Sequence, residues 1–245
     1  MGGFFSARSE NTFALYSVSH VSMIILFIVL AVMLYVYREQ IRQNVWKKSI
    51  RYSLIGVLVL SELSLNIWYT TTNVWNPLDT LPFQLCSISL FLCIFMLVTN
   101  SYRVFEVTYF FGLAGASQAL LTPELFFDFP HYRYFHFFLA HIGIMLACLY
   151  MVWIEKMTPT VKSIWKAIIT INVIAFVVFF VNKWTGGNYM FLARKPANPS
   201  LIDFLGPYPY YILSLEIVAI VLFSLLYLPI FFAKKNNKQR MPNSA

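Results

Sequence analysis

Residues 14–48 read ALYSVSHVSMIILFIVLAVMLYVYREQIRQNVWKK: an apolar run through Tyr37, then four basic residues within eleven positions. A run of that length spans a bilayer as a helix, because about 20 residues at 1.5 Å each cover the roughly 30 Å hydrocarbon layer while satisfying their own backbone hydrogen bonds. The basic residues follow where the helix would leave the membrane.

The pattern recurs. Apolar runs occupy residues 14–37, 50–72, 83–99, 104–122, 132–154, 164–184 and 209–232. Prolines punctuate the gaps, at Pro77 and Pro82, Pro123 and Pro130, Pro159, and Pro196, Pro199, Pro207 and Pro209. The fourth run carries Gly112, Gly115, Ser117 and Gln118, small and polar residues that suit a helix packed among helices. Composition agrees: 59% hydrophobic residues and 11% charged ones depart far from the roughly 45–50% and 25% of soluble domains. The expected fold is all-α and polytopic, a single seven-helix transmembrane domain over 1–232 followed by a basic tail, 233–245.

Charge placement sets the expected direction. Thirteen of the eighteen lysines and arginines fall on one set of loops: five in 38–51, Arg103, three in 156–166 and four in the tail. Only Arg8, Arg133, Lys183, Arg194 and Lys195 fall on the other. The positive-inside rule then puts the N-terminus outside and the C-terminus in the cytoplasm. The net charge of +8 reads as topology signal and contact with anionic headgroups, not nucleic-acid binding. The first eleven residues lack a signal-peptide pattern, so the first span is expected to stay in the mature protein. Cys86, Cys93 and Cys148 all lie within spans, which argues against a disulfide framework.

Polar residues inside spans are costly in hydrocarbon and need a partner or a purpose. They are His20, Glu62, Asn66, Gln84, Cys86, Gln118, His136, His141, Asn172 and Glu216. Converted to depth, most belong to the outer half, which implies one outward-facing polar cavity. Cys86 sits at the outer start of its helix, where the helix dipole favours an anion, and His20 and His141 lie at similar depth. A thiol beside a histidine can act as a nucleophile; an intramembrane cysteine can equally be an apolar filler. Glu62 and Glu216 can carry protons, or pair with each other or with histidine. His131, His136 and His141, five residues apart, spread round their helix instead of aligning as metal ligands. A set of His20, His141 and Glu216 is the alternative; no metal or cofactor is assigned.

Leu81-Pro82-Phe83-Gln84-Leu85-Cys86, Gly112-Leu113-Ala114-Gly115 with Gln118-Ala119-Leu120-Leu121-Thr122-Pro123, Phe129-Pro130-His131 with His141, Asn188-Tyr189-Met190-Phe191-Leu192 with Arg194-Lys195-Pro196, and Leu205-Gly206-Pro207 with Pro209-Tyr210-Tyr211 resemble the YwaF-like bacterial integral membrane proteins. The resemblance covers nearly the whole chain and implies a multi-pass protein of the bacterial plasma membrane. More distantly, it is similar to eukaryotic transmembrane acyltransferases that move fatty-acyl chains between phospholipids. It implies Cys86 as the acyl-accepting thiol and His141 as the best match for its base. Many bacterial relatives carry histidine where this chain has Gln84, so the base must come from His141 or His20. Gln84, Gln118 or Asn66 would donate to the developing oxyanion, and Arg194 and Lys195, beside Asn188 and Tyr189, would hold a phospholipid headgroup, with a solvated loop charge or a headgroup anchor as the alternative for that pair. The alternative is a small transporter or lipid-binding protein that uses Glu62, Glu216 and His141 without covalent chemistry.

Overall fold

The computed structural model describes residues 3–8, 12–197 and 201–239. Eight α-helices form: α1 (Val18–Val36), α2 (Arg38–Gln43), α3 (Trp46–Thr71), α4 (Leu85–Thr99), α5 (Tyr102–Leu121), α6 (Tyr132–Trp153), α7 (Val161–Thr185) and α8 (Tyr210–Gln239). Among the described residues there is no strand.

Local chemistry sets the ends. Ser17 caps α1 by accepting from the His20 amide, His131 caps α6 by accepting from the Arg133 amide, and Thr160 and Ser163 form a reciprocal capping box at α7. Asn100 and Gly186 close α4 and α7 in left-handed conformations.

Contacts at both ends show that α1 and α3 to α8 alternate in direction. At one end, here the Tyr189 end, Tyr134 of α6 donates to the Ser19 carbonyl of α1, Tyr132 donates to Ser64 near the end of α3, and Tyr211 of α8 bonds the Phe191 carbonyl beyond α7. At the other, the Glu155 end, Arg42 bonds the Trp153 carbonyl, Tyr150 donates to the Lys47 carbonyl, and Lys234 reaches the Pro159 carbonyl.

Six of the helices, all but α2 and α4, are long and apolar enough to cross a membrane. Of the seven expected spans, six qualify in this way, and the remaining one, α4, is a shorter apolar helix. Pro82 and the extended Gln84 delay the third apolar run and Asn100 stops it, leaving 15 residues, roughly 22 Å of helix. The small-residue run matched to α5 does qualify, and α5 and α6 are its most buried members. Gly112 explains their approach: a β-carbon there would lie 2.7 Å from Cys148 Sγ and 3.1 Å from Ile144.

The basic residues of the Glu155 end also finish helices. Arg42 and Arg51 donate to the terminal carbonyls of α6 and α4, at Trp153, Leu97 and Val98. Lys47 pairs with Glu155 at 2.7 Å, and Lys166 with buried Glu106 at 2.5 Å. The expected tail begins as a continuation of α8; residues 240–245, like Pro199, lie outside the described residues.

Candidate functional site

Gln84 is the N-cap of α4, and its Oε1 accepts from the Met190 amide at 3.0 Å. The loop after α7 is thereby pinned to the start of the helix that carries Cys86. Tyr189 anchors the same loop. It is fully buried; its hydroxyl donates to the Pro77 carbonyl at 2.8 Å and accepts from the Leu81 amide at 3.0 Å, while Asn182 clasps its backbone on both sides. Burial holds the Tyr189 phenol above its ordinary pKa. Asn188 organises the turn, its Oδ1 accepting from the Ala193 and Arg194 amides and its Nδ2 donating to the Arg194 carbonyl. Met190 and Phe191 take positive φ angles of 56° and 53°, a conformation that bulky side chains hold only when neighbours fix it. Gln84, Asn188 and Tyr189, expected as ligand contacts, therefore build a brace.

Cys86 is half-buried with a free thiol, and among the described residues it has no hydrogen-bond partner. One heptad later, Cys93 Sγ lies 3.8 Å from the Ile144 carbonyl of α6. Helices α4 and α6 run parallel, and Cys93 and Cys148 both flank the Gly112 position. Seven residues from each, roughly 10 Å toward the Tyr189 end, come Cys86 and His141. Register thus brings the two to one level of the bundle.

His141 is buried, at 6% exposure, and its Nδ1 lies 2.6 Å from the Phe137 carbonyl. A carbonyl only accepts, so the ring proton sits on Nδ1 and Nε2 carries a lone pair. Among the described residues no group hydrogen-bonds that Nε2. His20 differs. Its Nδ1 accepts from the Tyr16 amide at 3.0 Å, and its Nε2–H donates to the Leu120 carbonyl at 2.7 Å. With both nitrogens engaged, His20 clamps α1 to the end of α5 and has no lone pair free to take a proton.

The remaining expected residues separate instead of lining one cavity. Glu62 accepts from Asn66 on the same helix at 3.1 Å, and Glu216 of α8 accepts from Asn172 of α7 at 3.0 Å. Gln118 lies half-buried near the end of α5. Lys195 donates to the Asp203 carbonyl and faces the Tyr211 ring, while Arg194 is exposed. Glu62 and Glu216 each find an asparagine partner locally, which is why depth alone did not gather them. Among the described residues no three His, Cys, Asp or Glu side chains converge as a metal-binding group.

A second polar cluster was not foreseen. Ser61, Arg133 and His136 meet where α3 packs on α6, and Ser61 Oγ, Arg133 Nε and His136 Nε2 are buried without hydrogen-bond partners. Arg133 reads from sequence as a loop charge because it follows Pro130 and His131. The signal lay in the spacing Arg133-x-x-His136, which stacks both on one helix face.

A profile of the TMEM164 family matches residues 15–227, from just before α1 through most of α8. The chain belongs to the TMEM164 family. It is therefore a multi-pass membrane protein, as its apolar helices require. No curated protein and no solved structure matches the chain significantly.

Proposed function

We propose that this TMEM164-family chain is a phospholipid acyltransferase that works through a thioester at Cys86. The observation that carries the reading is His141: its proton is fixed on Nδ1, its Nε2 lone pair is buried and unpartnered, and register sets it level with a free thiol. A buried base atom that stabilises nothing structural is expected of a catalytic group.

His141 Nε2 takes the proton from Cys86 Sγ across the gap between them, which a bound hydroxyl or water spans. The thiolate attacks an ester carbonyl of a membrane phospholipid, the carbon–oxygen bond breaks, and the leaving alkoxide takes the proton from His141 to depart as a lysolipid. An acceptor hydroxyl then gives its proton to His141 and attacks the thioester; the carbon–sulfur bond breaks and the thiolate recovers the proton. Gln118 and Gln84 are the donors on hand for the oxyanion, since the Met190 bond occupies only Gln84 Oε1 and leaves its Nε2–H groups to donate.

In this reading α4 completes a seven-span protein with the Tyr189 end outside and the basic Glu155 end in the cytoplasm, in line with the thirteen-to-five charge split. The YwaF-like resemblance supports a bacterial plasma membrane. Arg194, exposed beside the brace, is placed to meet headgroups.

A second reading, lipid binding or transport without chemistry, has its own observation. Asn172, hydrogen-bonded to Glu216, lies in a shallow open groove on α7 with Ile168, Ile169, Val173 and Phe176. The test is transfer of a labelled acyl chain between phospholipids by Cys86→Ser and Glu216→Gln proteins. Acyl transfer predicts loss with the first and retention with the second; no acyl transfer by the parent, with lipid binding lost in Glu216→Gln and kept in Cys86→Ser, would establish the other reading.

A further inference from the structure

Helices α3 and α6 pack closely enough that a β-carbon on Gly143 would lie 3.0 Å from Leu58. One to two turns nearer the Tyr189 end, the same seam changes from apolar to polar. The Arg133 guanidinium lies beside His136, with Nη1 3.3 Å from Nδ1. Arginine only donates, so Nδ1 is the acceptor and the His136 proton sits on Nε2. That N–H faces the Ser61 carbonyl. Two donors beside it point into the seam with nothing among the described residues to receive them: Arg133 Nε–H and the Ser61 hydroxyl, the latter on a residue only 3% exposed.

The charge is uncompensated as well. Among the described residues Arg133 makes no ion pair, and its nearest company is aromatic, with Trp68 and Tyr69 rings 5.4 and 5.6 Å from the guanidinium. Glu62, adjacent to Ser61 in sequence, is occupied with Asn66 and stays outside ion-pair distance of Arg133. An unpaired cation with unmet donors is costly at a membrane-buried seam unless an anion completes it. The Tyr189 end of the seam is braced by the N-terminal strap, where the Phe4, Phe5 and Ser6 carbonyls accept from the Tyr132 amide, the Trp68 indole and the His131 ring.

We propose that Ser61, Arg133 and His136 form an anion site that receives phosphate oxygens, with Arg133 supplying the charge and Ser61 and His136 the orienting hydrogen bonds. That the phosphate belongs to a lipid rests on the acyl-transfer reading; the anion site itself does not. His141 lies eight residues along α6 from Arg133, roughly 12 Å, and level with Cys86, so the site would fix where along the bundle a lipid's ester bonds can sit.

The test uses the purified full chain in detergent with three probes: short-chain phosphatidic acid, the matched diacylglycerol that lacks the phosphate, and inorganic phosphate. The expected result is at least about tenfold tighter binding of phosphatidic acid than of diacylglycerol, the scale of a lost charge-assisted hydrogen bond. Arg133→Gln and His136→Phe should each remove that preference, and Arg133→Lys, which keeps charge and fold, should retain part of it. Displacement by millimolar inorganic phosphate would identify free phosphate as the ligand; lack of displacement would identify the lipid headgroup. A parent protein that shows the preference but transfers no acyl chain would sink only the catalytic reading. Equal binding of the two lipids, or a preference unchanged in both Arg133→Gln and His136→Phe, would overturn the anion site.

Discussion

Gln84 Oε1 accepts a hydrogen bond from the Met190 amide at 3.0 Å, tying the first residue of the α4 cap to a turn 106 positions away. The bond uses the acceptor half of the side chain, so Gln84→Glu should keep it and Gln84→Ala should not. Thermal unfolding in detergent is expected to show a loss of about 1 kcal/mol for alanine and a much smaller one for glutamate.

Gly112 has no room for a β-carbon. Gly112→Ala would place a methyl 2.7 Å from Cys148 Sγ, and that sulfur is itself in contact with the Thr108 carbonyl at 3.5 Å. The expected cost is about 1–3 kcal/mol of overpacking. Adding Cys148→Ala should recover part of it, and a double-mutant cycle on unfolding free energy reads the coupling.

His131 couples the strap to α6 and gives stability a pH dependence. Its Nδ1 accepts from the Arg133 amide and its Nε2–H donates to the Ser6 carbonyl. Burial, aided by the Arg133 charge, holds its pKa below the ordinary histidine value against the opposing Ser6 bond. A depressed histidine means that the unfolded chain takes up the proton first. The contribution is therefore present above about pH 6.5 and lost as pH falls below it. Melting temperatures at pH 7.5 and 5.5 should fall further in the parent than in His131→Asn, which keeps a cap without titrating.

At the other end, Glu106 is buried against Ser163 and Lys166, at 2.6 and 2.5 Å. Lys166→Met leaves the carboxylate with one neutral partner. Because Lys166 is itself half exposed, the expected loss is about 1–3 kcal/mol, below that of a fully buried pair. Glu106→Gln combined with Lys166→Met should recover stability in the same unfolding assay.

Which of these features the sequence exposed follows from physical range. Apolar runs and proline stops are local, and they located α1 and α3 to α8 within a few residues. Helix length is less local: α4 is cut short by Gln84 and Asn100, whose backbone conformations no hydropathy average contains. Depth along a helix is legible and placed Cys86 level with His141. Rotation about the helix is not, so His20 looked equivalent to His141 until the Leu120 carbonyl claimed its Nε2. Glu106 went unnoticed in an apolar run because its partner comes from α7, and the Ser61, Arg133 and His136 seam required knowing that α3 packs on α6.

The most direct test incubates the purified protein with a phospholipid carrying a labelled acyl chain and looks for label on Cys86 that hydroxylamine releases. The account predicts such an adduct in the parent protein and in His20→Asn, none in Cys86→Ser, and a loss of at least about a hundredfold in formation rate in His141→Ala, the scale of general-base catalysis. An unlabelled Cys86 with every phospholipid donor, while the protein still moves label between lipids, would contradict it.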